Sequence, residues 1–365
     1  MLERFKVPEG DELRVEDESL TKTVTAIFQK MGVSAEDAAE GANVLVSTDL
    51  RGVETHGVSN MLRAYVQQYN AGTLNPRPDW KIVRESPGTA TIDADRGLAV
   101  ILGPKAMRIS IEKAKKVGIG VVTMFNAGHS GAIGHHATLA AQQDMIGVCM
   151  TAAGLLVAPT FASEGLLGTN PIAIAAPAKN QPPVLFDAAT SAIAGNKLRL
   201  AARVGANLLP GWVAERDGTP IMEETPVRER DQYYQLPLGG TREQGSHKGY
   251  GLALMAEILA TFLAGALPSM ISGNPGVSRH YFAAYNIESF TDLDTFKETM
   301  DRMLQMLRET KPAPGQDRVL YPGLSEFEEE QDRRTNGIPL HKEVIQWFED
   351  ISGELEGIPP LRIIG

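Results

Sequence analysis

Seven histidines are the side chains of this chain best suited to moving a proton near neutral pH: His56, His129, His135, His136, His247, His280 and His341. His56 differs from the rest by its neighbours. It lies in Asp49-Leu-Arg51-Gly-Val-Glu-Thr55-His56-Gly57-Val58, a polar hinge that sets a hydroxyl beside an imidazole. Such an imidazole can act as general acid toward a carbonyl oxygen that receives hydride; a hydrogen-bonded structural histidine is the other reading of the same residues. His135 and His136 fall inside a helix and point in different directions, which reads as structural or surface, and His280 and His341 lack supporting context. No pair has H-E-x-x-H or another metal spacing, and the single cysteine, Cys149, adds no ligand set, so no metal site is expected.

Two glycine-rich turns are the candidate anion sites. Asn126-Ala-Gly128-His129-Ser130-Gly131-Ala132-Ile133-Gly134 lies between an apolar strand and a helix start, where backbone N–H groups can hold a phosphate. A plain strand-to-helix turn is the alternative. Gly245-Ser-His247-Lys248-Gly249 heads a long apolar segment. A cation at a helix N-terminus opposes the helix dipole, so Lys248 either faces an anion or is solvated. A Rossmann site needs G-x-G-x-x-G directly after a strand; the nearest match, at 118–123, precedes its strand and lacks the third glycine, and no Walker loop is present.

The elements that must position these residues follow from periodicity. Leu20, Val24, Ile27, Phe28 and Met31 share one helical face over 18–31, and Gly32 ends that helix. Ser34 reads as the N-cap of a second helix, with Ala38, Ala42, Leu45 and Val46 inward. A third helix spans about 58–70, and the proline-broken 75–80 is a crossover. Strands are expected at 89–94, 119–125, 145–153, 172–176, 184–187 and 281–287. Helices are expected from Pro104 to Gly118, from 132 to about 144, near 191–204 and 248–267, and on the strongly amphipathic 293–307. Strands alternating with helices after a helical start make this an α/β protein. The acidic run 326–330 reads as a solvated face.

Composition removes several function classes. With 35 Lys+Arg against 45 Asp+Glu, the net charge of −10 argues against nucleic acid as partner. Residues 1–12 carry charge where a signal peptide needs an apolar core. The segment 249–271 is long enough to span a bilayer, but Glu257 near its middle would be costly in lipid, so a buried core helix is expected, with no membrane role and a cytoplasmic location.

The motifs themselves are similar to those of a known family. DLRGVETHGV at 49–58, NAGHSGAIG at 126–134, LLGTNPIAIAAPA at 166–178, DAATSAIAGNK at 187–197, GSHKGYGLALMAEIL at 245–259 and VLYPG at 319–323 resemble, in order, those of the type-2 malate/L-lactate dehydrogenases. This is the sulfolactate dehydrogenase-like family, which also includes ureidoglycolate dehydrogenase and reductases of cyclic imino acids. The resemblance implies an α/β, non-Rossmann NAD(P)-binding fold, with a helical region 1–80 carrying the catalytic histidine, a cofactor-binding region 81–320, and a segment 321–365 packing back on the N-terminal part. It implies a homodimer with the site near the interface. It makes His56 the proton donor/acceptor, supported by Thr55, and places Thr169 against the substrate. His129, Ser130, Gly131, Ala132, Ile133, Asp187, Ala188, Ala189, Gly195, Asn196, His247, Lys248, Pro322 and Gly323 would line an NAD or NADP cofactor.

Two departures bear on the substrate. The family's carboxylate-binding Arg falls four residues after the catalytic His, where this chain has Asn60. An Asn cannot offer the bidentate, charge-assisted pair, so either Arg63 reaches back or the substrate is not a simple 2-keto acid. Lys197 stands where some members carry an Asp that polarises the catalytic pair; a Lys would instead bind anions of cofactor or substrate. The expected activity is hydride transfer between nicotinamide and a 2-hydroxy/2-oxo acid. A reductase of cyclic 2-imino acids and a non-catalytic ligand-binding homologue are the alternatives. His56 would donate the proton during reduction, so activity should fall as a group near pKa ~6.5, shifted by its surroundings, is deprotonated.

Overall fold

The computed structural model describes residues 3–364. The first strand, β1 (Glu12–Val15), leads into α1 (Asp17–Lys30), which buries Leu20, Val24, Ile27 and Phe28 along one face. The Ser34 side chain accepts the Asp37 N–H at 3.2 Å and caps α2 (Ala35–Leu50). After the hinge comes α3 (Val58–Asn70), with Met61, Leu62, Tyr65 and Tyr69 inward. These three helices share one apolar core with residues of the C-terminal segment such as Ile338, Leu340, Val344 and Phe348.

Beyond residue 80 the chain builds a sheet and its covering helices. The elements are β2 (Lys81–Glu85), β3 (Thr89–Asp93), α4 (Ala99–Val117), β4 (Ile119–Ala127), α5 (Ile133–Ala141), β5 (Met145–Ala152), β6 (Ile172–Ala176) and β7 (Val184–Ala188). Then follow α6 (Gly195–Val204), β8 (Val213–Ala214), β9 (Tyr234–Gln235), α7 (Ser246–Ala256), α8 (Ser269–Ser272), β10 (Ser278–Asn286) and α9 (Leu293–Glu309). The chain closes with α10 (Leu324–Asn336), β11 (Ile338–His341) and α11 (Lys342–Glu354). The seven-stranded sheet has the order β2-β3-β4-β10-β5-β6-β7. Its one parallel pair, β3 with β4, is joined by α4, because parallel neighbours need a long crossover. Strand β10 inserts antiparallel between β4 and β5, which brings Ser278–His280 beside the ends of both. Helices α4 and α5 cover one face over a core that includes Met107, Ile111, Val122 and Phe282. A small separate core gathers Phe5, Leu198, Leu208, Val213 and Tyr233 around α6. Strand β1 pairs with β11, Glu12 opposite His341, and so ties the two ends of the chain together.

The mixed α/β architecture with a helical N-terminal region is the expected one; four local expectations are corrected. Helix α4 starts at Ala99, so Pro104 lies inside it: burial of Val100, Ile101 and Leu102 outweighs the lost backbone hydrogen bond, a cost of about 3 kcal/mol. Helix α6 starts at Gly195, not near 191, because Ser191 Oγ donates to the Ile193 carbonyl and forms a competing turn. The 248–267 segment is α7 followed by a π-helical stretch, Glu257–Phe262. It is no buried core helix either: its inner face, with Ala256 and Ala260, packs on β5 and β10, while Leu254, Met255, Ile258, Phe262 and Leu263 are exposed. Finally, the acidic run of α10 is ion-paired, Glu329 to Arg333, Glu330 to Arg51 and Arg334, and Glu328 to Arg318. Among the described residues no helix is long and apolar enough to cross a membrane.

Candidate active site

A cavity of about 740 Å³ opens between α3, α6, the turn after β4 and the loop around residue 230. His56 is on its wall, at the end of the hinge between α2 and α3. The hinge is fixed from below by a buried charged cluster. Asp49 accepts the Val58 N–H at 2.7 Å, two residues past His56, and Gly57 lies so close to that carboxyl group that a Cβ would overlap it. Arg333, from α10, donates to the Asp49 carbonyl at 2.8 Å and pairs with Glu54 at 2.7 Å. With no exposure at all, Asp49 has its pKa pushed up to about 8, chiefly by burial, so it carries a proton at neutral pH.

Thr55 Oγ1 meets His56 Nδ1 at 2.8 Å, which leaves Nε2 as the nitrogen without a protein partner among the described residues. The His56 ring stacks on that of His129, 5.6 Å apart and 14° from parallel. Burial, and then the charge of Lys197, pushes the His56 pKa down to about 4. The surroundings thus shift the group well below its ordinary 6.5, and the half-buried imidazole is neutral at pH 7 in the free protein. His129 Nδ1 accepts from the Gly131 N–H at 3.1 Å and meets the Tyr65 hydroxyl at 2.7 Å. Burial, followed by neighbouring histidines and Arg199, lowers its pKa to about 3. The neutral His129 ring therefore carries its proton on Nε2 and offers a fixed donor to the cavity.

The turn that holds His129 has its own supports. His280 Nε2–H donates to the Gly128 carbonyl at 3.1 Å, so its Nδ1 accepts from Thr151 at 2.9 Å, and Thr151 in turn accepts from Ser130 at 3.1 Å. His136 Nε2–H donates to the Ser130 carbonyl at 3.0 Å. His136 is thus structural, and His280, without context in the sequence, is a buried prop of the turn. His341 Nδ1 accepts the Glu343 N–H and caps α11.

Of the expected site residues, the cavity collects His56, His129, Ser130, Gly131, Thr169, Gly195 and Asn196 on its wall. Thr55 sits behind His56, and Lys197 lies back from the wall with its ammonium 5.5 Å from the Phe5 ring centre. Asn60 is turned away: its Nδ2 donates to the Asn196 carbonyl and its Oδ1 accepts from Arg203 at 2.9 Å. Arg63 is exposed and outside the cavity wall. The remaining candidates form a neighbouring group. Gly134 N–H donates to Asp187 at 2.7 Å, a Cβ on Gly134 would sit 2.9 Å from the same oxygen, and Leu185 N–H reaches the Pro322 carbonyl beside Gly323. Ala132 and Ile133 start α5, whose N-terminal turn is capped from β7 by the Asp187 carboxylate at the Gly134 N–H. Ala188 and Ala189 end and follow β7, which carries the chain back to the Thr169 turn through Thr190. His247 and Lys248 are exposed at the head of α7. The cavity's size and the hydroxyl, amide and backbone donors on its wall fit a nicotinamide dinucleotide.

The wall also holds residues that the sequence reading passed over: Asn170, Arg199, Arg228, Arg230 and Tyr233. Asn170 donates to the buried Glu257 at 3.1 Å, and Thr261 donates to the same carboxylate at 2.8 Å, which roots the Thr169 turn at the π-helical stretch. The available signal for the arginines was spacing, since Asn196, Arg199 and Arg203 recur along one helix.

A neutral imidazole held at one nitrogen, with a fixed N–H donor beside it on the wall of a deep cavity, is an arrangement that proton-coupled hydride transfer can use. The family model of malate/L-lactate dehydrogenases matches residues 15–349, and the chain belongs to that family. It is 39% identical over 356 residues to a malate dehydrogenase of Pyrococcus abyssi, covering 96% of this chain and 97% of that one. It is 36% identical over 343 residues to an L-sulfolactate dehydrogenase of Methanocaldococcus jannaschii, covering 93% and 96%. The solved malate dehydrogenase of Pyrococcus horikoshii superposes with a TM-score of 0.86 at 36% identity, over 96% of this chain and 97% of that chain. The protein is accordingly a dehydrogenase acting on a CH–OH group with a nicotinamide cofactor.

Proposed function

We propose that this chain oxidises a 2-hydroxy acid to the 2-oxo acid, and reverses the reaction, with His56 moving the proton. The observation that carries this reading is the His56 pair: Nδ1 held by Thr55 at 2.8 Å, ring stacked on His129, Nε2 free toward the cavity. In oxidation the neutral imidazole accepts the hydroxyl proton at Nε2, which requires Nδ1–H to donate to Thr55 Oγ1. The imidazolium so formed is stabilised by that bond and by the incoming substrate anion. In reduction the same nitrogen returns the proton to the carbonyl oxygen. His129 Nε2–H orients the reacting oxygen, and Thr169 holds the far side of the substrate. The nicotinamide ring supplies the hydride chemistry when bound, and the protein contributes alignment and water exclusion.

His129, Ser130, Gly131, Ala132 and Ile133, with Asp187, Ala188, Ala189, Gly195, Asn196, His247, Lys248, Pro322 and Gly323, would hold NAD or NADP. Lys197, whose ammonium is pushed down in pKa by burial, would regain its charge preference beside a cofactor or substrate anion. The exposed apolar residues of α7 and the π-helical stretch support a homodimer that covers them. A cytoplasmic setting agrees with nicotinamide chemistry and one buried thiol, Cys149.

The test is a panel of 2-hydroxy acids, including L-malate, L-lactate and sulfolactate, with NAD and with NADP, followed at the reduced-cofactor absorbance band. Turnover of one class supports the reading and fixes the cofactor. Turnover only of cyclic 2-imino acids would replace it with the reductase, and cofactor binding without turnover of any compound would favour a ligand-binding homologue.

A further inference from the structure

A 2-hydroxy acid brings a carboxylate into the cavity, and the residue at position 60 is not placed to receive it. Both ends of the Asn60 amide are occupied, Nδ2 by the Asn196 carbonyl at 3.1 Å and Oδ1 by Arg203 at 2.9 Å. Arg63, the other candidate, is exposed and off the wall. Four arginines lie on or just behind the wall, and two of them are already committed. Arg203 is held by Asn60 and the Ser59 carbonyl, with Glu343 at 3.5 Å; Arg228 places one guanidinium nitrogen 2.9–3.0 Å from both oxygens of Glu215.

Arg199 and Arg230 remain. Both are exposed like Arg63 but, unlike it, line the cavity, and neither has an ion pair or hydrogen bond among the described residues. The two carboxylates that flank Arg230 in sequence, Glu229 and Asp231, pair with neither cation among the described residues, although Glu229 also lines the wall. The two cations act on one another: burial first, and then Arg199, lowers the pKa of Arg230. In a chain of net charge −10, two cations on one cavity wall with no protein partner among the described residues make that wall locally positive and able to attract an anion. Arg199 lies one helical turn from Asn196, whose amide touches Met61 on α3, so it faces the helix that follows His56. Its charge also reaches His129, which stacks on His56. The group expected to hold the dinucleotide, around Gly134, Asp187 and Pro322, is drawn together by different contacts.

We propose that Arg199 and Arg230 form the clamp for the substrate carboxylate, taking over the task that Asn60 cannot perform. The inference rests on the hydroxy-acid reading above. A planar guanidinium on each side supplies the bidentate geometry a carboxylate prefers.

The test uses the full-length protein and the hydroxy acid it turns over. R199Q and R230Q should each raise KM tenfold or more, while kcat at saturation and the Kd for reduced cofactor, read by its fluorescence, stay within about twofold. Lysine at either place should recover only part of the loss. Unchanged KM in both variants overturns the clamp. So does a parallel rise in cofactor Kd, which would assign the pair to the phosphates of the dinucleotide. A second arm needs no turnover: phenylglyoxal labels accessible arginines, and L-malate added with NADH, a non-reacting pair, should protect Arg199 and Arg230 as read by mass spectrometry. Protection in a protein that turns over no hydroxy acid would leave the clamp standing and sink the reading of the reaction. Absence of protection would sink the clamp itself.

Discussion

Replacing Arg333 by Met tests whether the C-terminal helix holds the catalytic hinge. Arg333 is only 7% exposed, and it is the cation of a cluster whose carboxylates are Glu54, 4% exposed, and Glu329. It also donates to the carbonyl of Asp49, whose side chain carries the backbone just past His56. Methionine keeps much of the length of the side chain and removes the charge and all three hydrogen bonds. Breaking a buried pair by removing one partner costs about 3–5 kcal/mol, because the other charge is left unpaired; here Glu54 Oε2 already has no partner. For a chain of this length that corresponds to a drop in Tm of roughly 4–7 °C. The cost depends on pH with a definite sign. Burial already raises the Glu54 pKa, and loss of Arg333 raises it further. A carboxyl group raised in the folded state destabilises it above the unfolded pKa and ceases to do so as pH falls, so the deficit of the variant should shrink on going from pH 8 to 5. Because His56 rides on the same hinge, kcat should fall by about tenfold or more, an effect of position and not of charge. Calorimetry and steady-state kinetics on R333M, E54Q and the double variant check all of this. The double variant should recover part of the stability lost by R333M, as coupled partners do. A Tm within about 1 °C of the parent at pH 7, with unchanged kcat, would refute the reasoning.

Two further outcomes follow from the histidines. His56→Ala should lose ~10²-fold or more in kcat while cofactor binding is retained. In the parent, kcat/KM for oxidation should be level from pH 8 down to about 5, since the free-protein pKa is about 4 and the neutral ring is the acceptor; an acid limb near 6.5 would contradict the burial argument. His136 and His280 are wholly buried with pKa values pushed down to about 3 by burial. A depressed histidine excludes the proton in the folded state, so its share of stability is intact above about pH 6.5 and is lost as pH falls below it. By pH 5 each costs about 2 kcal/mol. The urea midpoint should therefore decline between pH 7 and 5, and less steeply in H280Q; equal slopes would remove His280 from the account.

Residue patterns disclose what is local, and the site is local only in part. The hinge at 49–58, the turn at 126–134 and the helices flanking them are readable, because caps, glycines and 3.6-residue spacing act over a few positions. Strand β2 was not, since all five of its residues are exposed on a sheet edge and show no alternation. Strands β1 and β11 pair with each other although they are far apart in the chain. The same limit explains His280 and Arg333. His280 gains its role because β10 inserts between β4 and β5, which sets it against Thr151 and Gly128. Arg333 gains its role because α10 returns to the hinge, and within the α10 sequence it looks like one more charge on an acidic helix.

Position 60 carries the point furthest. That Asn60 lacks the charge of an Arg could be read directly, and the natural inference was a search for a cation nearby in sequence, at Arg63. The fold answers differently, because packing of α6 on α3 engages the Asn60 amide with Asn196 and Arg203 and exposes another residue of the same helix, Arg199, to the cavity. Loss of a charge at one position is therefore weak grounds for discarding an acid substrate when a helix from elsewhere in the chain can present a charge to the same cavity. Substrate class in such a site depends on where the unpaired cations end up, which is a property of helix packing and not of motif spelling.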